Sequence, residues 1–108
     1  MTTTAKYSLS IESVTVGTAV ADSVAISYGD FEKGMVLVPA GATYVTLTWH
    51  TCGSESGTYL PAQDATGTAV TQTVAASKAY PIPVALLGAR FLKITGNAAG
   101  TVGVTLKD

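Results

Sequence analysis

Apolar positions in this chain recur mostly with a period of two, and the runs that carry the period are short. Between residues 31 and 51 the sequence reads FEKGMVLVPAGATYVTLTWHT. The apolar run Met35-Val36-Leu37-Val38 is too short for a helix and is stopped by Pro39. A Pro39-Ala40-Gly41 turn follows, and then Val45, Leu47 and Trp49 alternate with Thr46, Thr48 and His50. Alternation of this kind predicts a strand with one buried face, and threonine, stiff at its branched Cβ, suits the exposed side of a pleat. Trp49 is therefore expected at the centre of a core.

The same rule locates the other strands. Residues 7–11 alternate cleanly, and Val14-Thr15-Val16 extends them on a shifted face, which requires a bulge. Further strands are expected near 23–28, 34–38, 44–51, 58–60, 68–74, 79–82, 90–94 and 101–107. In the last of these Val102, Val104 and Leu106 point inward. Turn chemistry falls between them at Gly17-Thr18, Tyr28-Gly29-Asp30, 52–57, 63–67 and 97–100. Gly67 is expected to supply a positive φ. Pro83 opens and Gly88 caps a single helical turn. Eight or so short strands with a turn signal every few residues predict an all-β, antiparallel β-sandwich. Both a jelly-roll and an immunoglobulin-like order fit. The missing Cys–Trp–Cys arrangement favours the jelly roll.

Length allows one core: 108 residues make a single domain, expected over 7–108, preceded by a polar N-terminal arm at 1–6. Charged residues are 12% of the chain, about half the roughly 25% usual in soluble domains, while 47% are apolar. No segment approaches the roughly 18 consecutive apolar residues of a membrane span. A nearly neutral, apolar surface then needs protein to cover it, from copies of itself or from a larger assembly. Six scattered basic residues give no footprint for nucleic acid. A single cysteine, Cys52, rules out an internal disulfide. The opening residues carry no apolar signal core, so synthesis in the cytoplasm is expected.

No catalytic constellation is visible. His50 and Cys52 share a strand face, yet one histidine and one cysteine do not complete a zinc shell within a chain. Completion across a symmetric oligomer is the alternative. His50 is expected as an ordinary polar surface residue and Cys52 as a small hydrophobe. The acids fall in predicted turns without a glycosidase-like pair, and Asp64 to Gly67 lacks the spaced ligands of a calcium loop. No cofactor, metal site or enzymatic activity is expected. Tyr44 and Tyr59 are the candidate exposed aromatics.

From about residue 34 onward the cues are a Pro-Ala-Gly turn before an alternating Trp strand, a D-x-x-G turn at Asp64–Gly67, a K-x-Y-P-I-P bend at 78–83, and an LKI strand at 92–94. In these features the chain resembles small virion proteins of tailed bacteriophages, in the style of capsid decoration (cement) proteins. The resemblance implies a non-enzymatic homo-oligomer, dimer or trimer, that binds the major capsid protein on the outer surface of the head. Head, tail and fibre locations stay open. Contact is expected from the arm (Thr2, Thr3, Thr4, Lys6), from the loops at 28–34 and 52–58, and from Tyr28, Phe31, Tyr44 and Tyr59. The alternative is a carbohydrate-binding module of a tail or head fibre, with Tyr44 or Tyr59 as the stacking platform.

Overall fold

The computed structural model describes residues 8–29, 33–86 and 88–107. Nine strands follow one another: β1 (Ser8–Val16), β2 (Ile26–Ser27), β3 (Lys33–Val38), β4 (Thr46–Cys52), β5 (Leu60–Pro61), β6 (Thr71–Thr73), β7 (Lys78–Pro81), β8 (Phe91–Gly96) and β9 (Gly100–Lys107). Two 3-10 turns, Val20–Asp22 and Val84–Leu86, complete the list of elements. All strand ladders are antiparallel and form two sheets, β1-β9-β3-β7 and β2-β8-β4-β5, with β6 also on β4.

The pairing has a simple rule. β1 pairs with β9, β2 with β8, β3 with β7, and β4 with β6 and β5. The chain is thus a long folded ribbon, and β3·β9 and β4·β8 roll that ribbon into two sheets. This is the jelly-roll order, one of the arrangements by which antiparallel chains limit their open edges.

Alternation decides what fills the space between the sheets. Val14, Val16, Val36, Val38, Val102, Val104 and Leu106 come from the first sheet; Ile26, Leu47, Trp49, Leu92 and Ile94 come from the second. Each such aliphatic side chain, fully buried, contributes about 1.5–3 kcal/mol of transfer free energy. Trp49 is at 0% exposure, as its place in the pattern requires. Its indole Nε1–H donates to Gln72 Oε1 at 2.9 Å, and Gln72 Nε2 donates to the Pro81 carbonyl on β7 at 2.8 Å. One polar side chain therefore satisfies the indole and ties the two sheets together.

The expected bulge in β1 is present, with a register shift between Ile11 and Val14. Gly67 has φ +83 and Gly88 φ +98, as read from the sequence. The predicted strand near 23–28 shrinks to Ile26–Ser27. Residues 17–23 instead run along the β8 edge of the second sheet, where Ser23 Oγ donates to the Ile94 carbonyl at 2.7 Å and accepts from the Gly17 N–H at 3.0 Å. The strand expected at 68–74 contracts to Thr71–Thr73, because residues 63–69 leave the sheet as a hairpin closed by a Gln63–Ala69 bridge, while Ala62 and Val70 stay bonded to Trp49. Asp64 Oδ1 orders its tip, accepting from the Thr66 and Thr68 N–H groups and the Thr66 hydroxyl. These bonds, led by the Thr66 hydroxyl, hold the Asp64 carboxyl below its usual range.

Candidate functional site

Three tyrosines expected at a contact surface are buried. Tyr28 is 2% exposed and Tyr44 1%. Tyr28 is drawn in where its own N–H donates to the Arg90 carbonyl at 2.8 Å, beside the end of β8. Tyr44 is buried because the alternation breaks phase at Val45. The amides of Val45 and Thr46 both donate to Asn97 Oδ1, at 2.8 and 3.1 Å. That anchor holds Tyr44 inward, with its hydroxyl donating to the Thr101 carbonyl at 2.6 Å, and leaves Val45 53% exposed. Tyr59, 8% exposed, lies over the outside of the second sheet, and its hydroxyl donates to the Glu55 carbonyl at 2.8 Å. None of the three is a free aromatic platform. Thr2, Thr3, Thr4, Lys6 and Phe31 lie outside the described residues.

His50 departs from expectation too. It points away from Trp49, yet it is 8% exposed rather than a surface residue; on that side its cross-strand neighbour Lys93 reaches across to the Tyr59 ring, 4.7 Å from its centre. His50 Nε2 is 3.0 Å from Thr95 Oγ1, and Nδ1 is enclosed without a partner. Burial holds the imidazole below its ordinary pKa. Cys52 shares this face and is partly buried, with its Sγ 4.0 Å from Ser54 Oγ. No hydrogen bond joins His50 to Cys52 among those described, so a base-activated thiol is not assembled. Among the described residues no group of three or more His, Cys, Asp or Glu side chains is placed to hold a metal.

The outer face of the first sheet is different in kind. Along β3, Lys33, Met35 and Leu37 point outward while Val36 and Val38 point in. Thr105 and Pro81 flank Met35; Gly103 and Ala79 flank Leu37. Small neighbours leave the two large side chains standing proud, at 37% and 42% exposure. Gly103 carries no side chain, so a groove of about 280 Å³ opens beside Leu37, bounded by Ile11, Pro39, Thr101 and Val102. On the described face charge stands at one end, at the cross-strand neighbours Lys33 and Lys107; Lys78 pairs with the inward-pointing Val38. The sequence held a sign of this face in Met35 to Val38, a strand apolar at every position, which therefore presents apolar side chains on both sides of its sheet.

No family model, no curated protein and no solved structure matches the chain.

Proposed function

We propose that this chain is a non-catalytic structural protein that docks onto a protein assembly through the outer face of the β1-β9-β3-β7 sheet. The observation that carries the reading is that face: Met35 and Leu37 exposed amid small, uncharged neighbours, with Lys33 and Lys107 at one end. Apolar side chains in the middle of a flat, uncharged patch are the composition of an interface core, and a polar rim is its usual surround. The resemblance of residues 34–108 to phage decoration proteins supports a partner, the major capsid protein, and a place, the outside of the head. The jelly roll serves viral capsid and lectin domains alike, so it supports the class by analogy alone. As a cement protein the molecule would act additively, as a homo-oligomer whose copies each bury surface on the shell and reinforce one another by avidity.

The carbohydrate-binding reading loses its support at the positions on which it was built, since Tyr44 and Tyr59 are buried and their hydroxyls bonded internally.

Phage particles probed with labelled antibody against the chain test the proposal, alongside a Met35→Lys, Leu37→Asp double variant added to particles stripped of the native protein. Label on heads and at least a tenfold loss of occupancy by the variant are expected, with its melting temperature within a few degrees of wild type. Unlabelled particles, or equal occupancy by the variant, would overturn it.

A further inference from the structure

The covered side of the second sheet holds a polar arrangement that the docking reading does not use. His50 on β4 and Lys93 on β8 are direct cross-strand neighbours. Lys93 Nζ lies 4.7 Å from the centre of the Tyr59 ring and donates to the Val20 carbonyl at 3.4 Å. The ammonium is thereby held against the Tyr59 ring, on the side of the sheet that His50 faces. The charged and titratable groups on the surrounding elements are Lys93 on β8, Tyr59 and Glu55 on the covering segment, Asp22 on the 3-10 turn and Cys52 on β4 itself. None of them accepts a hydrogen bond from His50 Nδ1.

We propose that His50 is an acid-sensitive latch: taking up a proton, it releases the 53–59 segment from the outer face of the second sheet. In the closed state a neutral ring, protonated at Nε2 and donating to Thr95 Oγ1, leaves Nδ1 a bare acceptor, the cheaper of the two ways to leave that atom unpaired. A second proton makes Nδ1–H a buried donor with no acceptor and sets a second cation directly across from Lys93. Both penalties fall when Tyr59 lifts, because water then reaches Nδ1 and screens the two charges. The open state therefore binds the proton more tightly than the closed state, and acid favours opening. Burial of the imidazole acts in the same direction. The latch is independent of what the first sheet docks on.

Hydrogen exchange of the full chain between pH 7.5 and 5, corrected for intrinsic rates and read beside the His50 ring signals in NMR, tests it. Protection at Leu60, paired with Thr51 where the segment joins β4, is expected to fall by about tenfold per pH unit, starting near pH 6.5 and ending where His50 finishes titrating. Protection in β9 should hold over the same range. Lys93→Met, which keeps the stem against Tyr59 and removes the charge, should bring the His50 titration closer to its ordinary value and shrink the fall. His50→Gln should flatten the profile. If His50→Gln does not fold, wild type and Lys93→Met decide. The latch is wrong if His50 titrates while Leu60 stays protected, if Lys93→Met matches wild type, or if β9 opens together with the segment.

Discussion

At the scale of single residues, the structure rests on a few polar atoms inside an apolar sandwich, and their loss should be measurable. Gln72 accepts from the Trp49 indole and donates to Pro81. Gln72→Leu leaves the indole N–H buried and unpaired, which should cost about 1–3 kcal/mol in urea unfolding. The same change in a Trp49→Phe background should cost less, and that difference measures the coupling. Burial raises the pKa of Tyr28 and of Tyr44 above the ordinary phenol value. The unfolded chain then loses these protons first as pH climbs past about 10. Stability from these groups is therefore full below that pH and lost as pH rises toward their folded values. Tyrosinate absorbance should show Tyr28 and Tyr44 ionising together with unfolding, not before it. Trp49 was legible because it continues an alternating run. Tyr44 was not, because the bond that flips its phase comes from Asn97, 52 residues away from Val45 in sequence. His50 was misread for a related reason. Its strand face was correctly assigned, but the cover over that face is built from Tyr59 and Lys93, and periodicity carries no information about what folds over an outer face.

Among the elements, the turns and the bulge were the readable parts. Their signals are local: a proline, a glycine that must take positive φ, a shift of phase between Ile11 and Val14. Strand lengths were less readable wherever the chain leaves a sheet for its own reasons, as at 63–69. Two substitutions probe this scale with opposite signs. Ser77, in the tight turn between β6 and β7, has φ +63, a region that disfavours side chains. Ser77→Gly should raise stability by up to about 1 kcal/mol, less whatever extra freedom glycine gives the unfolded chain. Gly96 ends β8 where an added Cβ would meet the Ala98 carbonyl oxygen at 2.9 Å, Val16 Cγ1 at 3.1 Å and Tyr44 Cβ at 3.2 Å. Gly96→Ala should lower the melting temperature, by overpacking worth about 1–3 kcal/mol. A melting temperature unchanged or raised in Gly96→Ala would show that the Asn97–Ala98 turn yields easily.

For the molecule as a whole, the pattern of strands and turns points to a sandwich. Alternation says which way a side chain points and not which strand lies alongside; the jelly-roll order, favoured only by the missing Cys–Trp–Cys arrangement, is the one observed. Pairing β1 with β9 and β2 with β8 has a further result in time. β9 lies between β1 and β3, in the middle of its sheet, yet it follows every other described strand along the chain. During synthesis β1 and β3 wait as two raw margins for a strand not yet made. Pairings between such distant segments form slowly, and exposed margins recruit neighbours in the meantime. A nascent chain halted before residue 100 should therefore be sticky and open to proteases, whereas one extended past residue 107 should snap shut as a unit.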